Sequence, residues 1–286
     1  MKLYALIFTL LFCPLIGATQ TKFEGNWEGV IIRAGQTPNQ GTLLYLELNA
    51  QSSSFQGYSR EEVLNTNTYA LKGVSASKNG DTLSLKQDFI KNTNAYRIKW
   101  CRLKADLVFN KNTGYLEGNY KSIDCRRVMG KIILYRTDVK LEKNEVPERG
   151  QYWFDDFIYG IEEGLNAPEI RIKERENFVF EPVFFAFDKA EIHPDYIDFL
   201  NELIKVVKGH SDLRVRVVGH TDSDGTDVYN IDLSKRRAEA IVHYFVLHGL
   251  SADRLQFDFK GEKVPIDTNS TSQGKQKNRR VDFSFI

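Results

Sequence analysis

The chain has little of what most function classes need. Three cysteines, Cys13, Cys101 and Cys125, occur in 286 residues. That is too few for a disulfide scaffold, and the spacing is not that of a zinc site. Neither sign of charge dominates: Lys+Arg 39 against Asp+Glu 38 leaves +1, whereas nucleic-acid and membrane-surface binders normally carry a basic excess. Past the first twenty residues no apolar run approaches the ~20 residues of a membrane helix. No Ser-His-Asp arrangement comes with a supporting motif. The expectation is therefore a protein that is not an enzyme and that uses no cofactor, metal or nucleic acid.

One apolar stretch stands at the start. "MKLYALIFTLLFCPLIGATQ" carries Lys2, an apolar run from Leu3 to Phe12, and then the small residues Gly17 and Ala18. This is the pattern of a secretory signal peptide, residues 1–20, too short to span a bilayer. Phe12 is bulky where a lipoprotein signal wants a small residue, so Cys13 is assigned to the discarded peptide rather than to a lipid anchor. The mature protein is expected in an oxidising compartment. Its length favours two domains.

From 22 to 140 the pattern has period two. "TLLYLEL", "SFQGYS", "TYALKGVSA", "DTLSLKQ", "YRIKWCRLKADLVF", "GYLEGNYKS" and "KIILYR" read as strands, with hairpin turns at "SKNGD" and "NKNTG". About eight antiparallel strands in succession predict an all-β meander, closed as a barrel or folded as a sandwich. "FQG", "LKG" and "LEG" each place an apolar residue two before a glycine, a pattern that marks bulges or tight bends in strands. "GNWEG" resembles, over five residues only, the opening of lipocalin-like barrels. Cys101 and Cys125 are equidistant from the "NKNTG" turn, which in a regular hairpin sets them opposite each other and predicts a disulfide. A membrane barrel is disfavoured, because most runs are shorter than the ~9–11 residues needed and the longest carries Lys99, Arg102, Lys104 and Asp106.

Residues 141–176 read as a linker. "EKNEVPERG" is polar with Pro147 and Gly150, after which Phe154, Phe157, Ile158, Ile161 and Leu165 fall at helical spacing. A short helix packed on a neighbouring domain is the plainer reading, and a docking segment for another envelope protein the sharper one. From 177 to 286 the order β-α-β-α-β-β predicts a mixed sheet covered by two helices. "NFVFEPVFFAF" is the entry strand, Tyr196, Leu200, Leu203 and Val207 mark one helix, and Ala238, Ile241, Val242 and Phe245 the other.

The stretch "GHTDSDGTDVYNIDLSKRRAEA", followed by "GEKVP" and "NRRVDF" and preceded by "FAFDKAEI", resembles the OmpA-like peptidoglycan-binding domain of bacterial envelope proteins. The likeness covers roughly the last 110 residues and departs only slightly, with Lys275 where an arginine is common. The motif puts acid in a loop and base on the helix that follows. Calcium loops also collect carboxylates at alternate positions, but here the glycine comes fourth rather than sixth and no glutamate follows at twelve. His220 lacks a second zinc ligand at suitable spacing; it is expected to end a strand. A zwitterion suits the pattern better, since an arginine fork matches a carboxylate and an aspartate matches an ammonium.

The resemblance implies that ligand: the diaminopimelate of the Gram-negative peptidoglycan stem peptide, with Asp222 on its ammonium and Arg237 on its carboxylate. Spacing also favours Arg237 over Arg236, for it stands four residues from both Leu233 and Ile241 and so borders the buried helix face. Asp188, Thr221 and Asn230 are second-tier contacts, Asn230 being alternatively the helix N-cap. Arg280 adds a carboxylate contact or pins the last strand. The expected function is a periplasmic wall anchor, associated with the cell wall and outer membrane, that tethers the β domain and an outer-membrane or periplasmic partner. The alternative is an envelope enzyme or small-ligand carrier in the β domain with the second domain as tether.

Overall fold

The computed structural model describes residues 22–95, 97–143 and 150–286. The leader with Cys13, and Pro147 of the connector, lie outside the described residues.

Eight antiparallel strands close into an up-and-down barrel in chain order: β1 (Gly25–Arg33), β2 (Thr42–Gln51), β3 (Ser54–Glu62), β4 (Tyr69–Asn79), β5 (Thr82–Thr93), β6 (Leu103–Phe109), β7 (Tyr115–Ser122) and β8 (Met129–Thr137). Alternation decides what goes inside. Leu44, Leu46 and Leu48 of β2, Leu83 and Leu85 of β5, and Leu103, Ala105 and Leu107 of β6 pack with Trp27, Val74, Leu116 and Leu134 into one core. Eight strands leave a lumen that side chains fill, and here they do. Membrane barrels carry the reverse pattern, polar inside and apolar outside.

The lumen holds one charged network. Lys72 Nζ donates to Glu61 Oε1 at 2.6 Å, to Gln87 Oε1 at 3.2 Å and to the Cys101 carbonyl at 2.7 Å. Gln87 Nε2 in turn donates to Glu61 and Ser59. One end of the barrel is shut by Trp27, whose ring lies under the Arg136 guanidinium at 4.5 Å. That guanidinium also donates to the carbonyls of Glu24 and Lys22, stitching the incoming chain to the last strand. The "GNW" tripeptide thus supplies the plug of the closed end.

Three local expectations need correcting. The run "YRIKWCRLKADLVF" is not one strand: β6 starts at Leu103, and residues 97–102 belong to the β5–β6 loop, residue 96 lying outside the described residues. Of the three echoed glycines only Gly73 lies at a register shift, with the Phe89 ring stacked where its Cβ would be. Gly57 and Gly118 sit in regular register, where a Cβ would come within 2.0 Å of the neighbouring strand's carbonyl oxygen. Cys101 and Cys125 are bridged, S–S 2.05 Å and Cα–Cα 5.8 Å. They are not a ladder pair, however. The register Leu103↔Ser122 ends the β6–β7 ladder before them, so the bridge ties together the two loops beyond it.

The connector is folded. Helix α1 (Trp153–Glu162) lays Phe154, Phe157 and Ile158 on the outer barrel face made by Val30, Ile32, Leu43, Ile133 and Tyr135. Its apolar stripe therefore covers this chain's own barrel, as the plainer reading expected. A second helix, α2 (Pro168–Asn177), was not foreseen, although Pro168 at its first position and the Glu169–Lys173 pair at i,i+4 are ordinary helix signals. It is capped against the closed end of the barrel, Ala167 N–H to the Thr113 carbonyl at 2.7 Å. It also reaches the next domain through Arg171 to the Gly209 carbonyl at 2.9 Å and Glu174 to Lys205 at 3.0 Å.

The C-terminal region is an α/β sandwich. A mixed four-stranded sheet in the order β11-β10-β12-β9 contains β9 (Val183–Phe184), β10 (Val215–Gly219), β11 (Leu255–Phe259) and β12 (Arg280–Phe285), only β10 and β11 being parallel. Helices α3 (Ile197–Lys208) and α4 (Asp227–Leu247) bury Leu200, Leu203, Val207, Ala238, Ile241 and Phe245 against Val215, Val217, Val281 and Phe283. A short helix, α5 (Ser272–Asn278), precedes the last strand and was also missed. The entry strand shrinks to two residues because its ladder partner position before Val183 is Pro182, which has no N–H to give. Phe178 and Phe180 still join the core through their rings.

Candidate functional site

The loop between β10 and α4 carries the site. Gly219 ends β10 so close to α4 that a Cβ there would lie 2.0 Å from the Ser234 carbonyl oxygen. This contact sets Thr221 and Asp222 beside the first turns of the helix. Thr226 caps α4 by accepting from Tyr229 N–H at 3.3 Å, so Asn230 is inside the helix and is not its cap.

Asp222 is buried and ion-paired, its Oδ2 accepting from Arg279 Nη1 at 2.7 Å, while Oδ1 accepts from the Asp224 N–H at 3.2 Å. Arg237 is fully buried alongside. Its Nε, Nη1 and Nη2 donate to the carbonyls of Lys189 (2.8 Å), His220 (2.9 Å) and Ala186 (3.2 Å). Three of five guanidinium donors are thereby committed to the backbone. Burial lowers the Arg237 pKa to about 10; Asp222 and Asp188 oppose that shift, and Arg279 and Arg236 add to it. Asp222, Asp188, Arg237 and Arg279 therefore share one electrostatic neighbourhood.

The remaining positions fall as follows. Asp188 is exposed, in a left-handed backbone conformation (φ 56°), and accepts from the Tyr229 hydroxyl. Thr221 is buried with its Oγ1 unmatched among the described residues, and so is Asn230 with its Oδ1, while Asn230 Nδ2 donates to Glu262. Buried polar atoms without partners are rare enough to call for a ligand or water. Arg236 is exposed and pairs with Asp232 at 2.9 Å. Arg280 is buried but turned to Asp282 and the Val264 carbonyl, which also places Asp282 3.4 Å from His220. His220 itself follows the last residue of β10.

The arginine against Asp222 is thus Arg279, which the sequence reading passed over for its neighbour. Alternation could have found it: counting back from the inward Val281 and Phe283, residue 279 shares their side, towards α4. Lys275, the small departure from the family pattern, closes a second pair across the loop with Asp224 at 2.6 Å. Both loop carboxylates therefore face cations of this chain.

A family model described as the OmpA family matches residues 184–279, which span this loop, its helix and α5. Over 124 residues the chain is 34% identical to the peptidoglycan-associated lipoprotein of Pseudomonas aeruginosa, 43% of this chain and 70% of that protein. The chain belongs to the OmpA family. It is also 35% identical over 103 residues to outer membrane protein A of Bordetella avium, and 36% identical over 102 residues to the peptidoglycan-binding protein ArfA of Mycobacterium tuberculosis. The match takes in 36% of this chain in both cases, with 53% of the first relative and 31% of the second. The chain thus spans about half the length of the Bordetella relative. The crystal structure of the peptidoglycan-associated lipoprotein from Burkholderia pseudomallei aligns with 37% of this chain and 89% of its own, at 27% identity and a TM-score of 0.36.

Proposed function

We propose that the protein is a non-enzymatic anchor of the cell envelope, whose OmpA-family domain binds peptidoglycan without a covalent bond while the barrel stands in the periplasm of a Gram-negative bacterium. Relatives named as peptidoglycan-associated or peptidoglycan-binding support the class of ligand. The observation that carries the reading is the buried Asp222–Arg279 pair beside Arg237, with Thr221 Oγ1 and Asn230 Oδ1 unmatched among the described residues.

Such a cluster suits the free amino-acid end of diaminopimelate. The ligand ammonium replaces Arg279 on Asp222 and is completed by Thr221 and Asn230. Its carboxylate takes the guanidinium N–H groups that Arg237 and the released Arg279 then offer. Asp188 lines the approach, and Arg280 ties β12 to the Val264 carbonyl. The barrel is the tethered part, and a filled lumen favours a scaffold for an outer-membrane or periplasmic partner over a carrier of cargo inside it.

Sedimentation of the full chain with purified wall sacculi tests this. Wild type should pellet, and Asp222→Ala should lose ~2–5 kcal/mol of binding, roughly thirtyfold or more in affinity. Arg237→Ala should lose as much, with circular dichroism confirming the fold because that side chain also ties three carbonyls together. Arg236→Ala should pellet like wild type. Equal pelleting of Asp222→Ala and wild type would sink the site, and wild type left in the supernatant would sink the function.

A further inference from the structure

The open end of the barrel carries a second site. Opposite the Trp27 plug, the loops after β1, β3, β5 and β7 surround a cup of about 200 Å³. That is smaller than the ~300–1,000 Å³ of pockets for drug-sized ligands, and barrel mouths are a common place for such sites. Glu61 lines the cup, already matched within the protein by Lys72 and Gln87. Its wall is apolar at Ile31, Leu103 and Val128.

The functional groups left over are donors and cations. Trp100 lines the cup, and its buried indole N–H has no acceptor among the described residues. Tyr120 is buried in the same wall, and burial raises its pKa, with Glu61 adding to the shift and Arg33 opposing it, so the hydroxyl keeps its proton. Arg33 and Lys99 stand at the rim. With Glu61 neutralised by Lys72, these two cations make the mouth electropositive. An ammonium ligand would meet these two cations and one carboxylate that already accepts from Lys72 and Gln87.

We propose that this cup binds a small organic carboxylate: its oxygens accept from Arg33 and the Tyr120 hydroxyl, and its apolar body rests on Ile31, Leu103 and the Trp100 ring. The closed end, where α2 docks, faces the wall-binding domain, so the mouth is directed away from it. The site stands independently of the wall-binding reading.

The test is titration of the full chain with phenylacetate, followed through the indole N–H signals of Trp27, Trp100 and Trp153 in a nitrogen–proton correlation spectrum. Trp27 donates to the Phe23 carbonyl and Trp153 to the Tyr45 hydroxyl, so both serve as internal controls. Phenylacetate should shift the Trp100 signal saturably with a Kd of about 1 mM or tighter. Benzylamine, of similar size and opposite charge, should leave it in place. Arg33→Gln and Tyr120→Phe should each weaken phenylacetate by about five- to tenfold while the Trp27 and Trp153 signals stay where they are. No saturable shift of Trp100, benzylamine binding as tightly as phenylacetate, or unchanged binding in both variants would overturn the proposal.

Discussion

Both halves of the molecule bury ion pairs, and the Lys72–Glu61 and Asp222–Arg279 pairs are built differently. In the barrel, Lys72 and Glu61 are buried, and the ammonium has three acceptors from within the protein. In the OmpA-family domain, Asp222 and Arg279 lie just under the surface beside a second arginine and two polar atoms without partners among the described residues. Burial of charge alone does not mark a binding site, since a satisfied pair only holds the fold. Under the proposed function, the second buried arginine beside Asp222 is what lets that pair trade its partner for a ligand.

Breaking the barrel pair gives the largest expected effect. Lys72→Met strands the Glu61 carboxylate in the lumen and should cost ~3–5 kcal/mol, most of it recovered in the double variant Glu61→Leu/Lys72→Met. Urea unfolding followed by tryptophan fluorescence reads the barrel and its covering helix alone, because Trp27, Trp100 and Trp153 all lie there. A double variant no more stable than Lys72→Met would show that the pair is needed for more than mutual compensation.

Opening the Cys101–Cys125 bridge with Cys101→Ser/Cys125→Ser comes next. It removes a constraint across 24 residues, worth ~3 kcal/mol in the chain-entropy estimate. The loss should appear in the fluorescence transition and leave the OmpA-family domain's unfolding, read by amide exchange in β10 and α4, where it was. The counterpart of the Lys72 experiment is Arg279→Gln. It should cost only ~1–2 kcal/mol, because Asp222 keeps the Asp224 N–H and the charge of Arg237 beside it. A cost equal to that of Lys72→Met would erase the distinction between the two pairs.

The two halves were also unequally legible. Period-two alternation was enough to find the barrel's strands, but not its closure, which depends on β1 meeting β8 about a hundred residues later. Nor could it reveal that Lys72 and Glu61 point inward together, since a slip of one residue would send both outward. The cysteine pair was readable, though for a slightly wrong reason, because the ladder stops before it. In the second domain a motif placed Asp222 and Arg237 near each other through the close contact of Gly219 with α4. Arg279 is within reach of β12's alternation but stands just past a short helix that composition alone did not suggest, rich as "SQGKQKN" is in polar residues and glycine. The connector's second helix was hidden in the same way, by charge on nearly every face.

The central claim is that the Asp222 site recognises an ammonium and a carboxylate on one carbon. Calorimetric titration of the full chain with a stem tripeptide ending in meso-diaminopimelate, against the same peptide ending in lysine, tests it most directly. The lysine peptide keeps the side-chain ammonium and lacks only the carboxylate beside it. The diaminopimelate peptide should bind at least about thirtyfold more tightly, the equivalent of ~2 kcal/mol for a charge-assisted contact to arginine. Arg237→Ala should remove most of that preference, whereas Asp222→Ala should weaken both peptides alike. Equal affinity for the two peptides, or a preference that survives Arg237→Ala in full, would contradict the account.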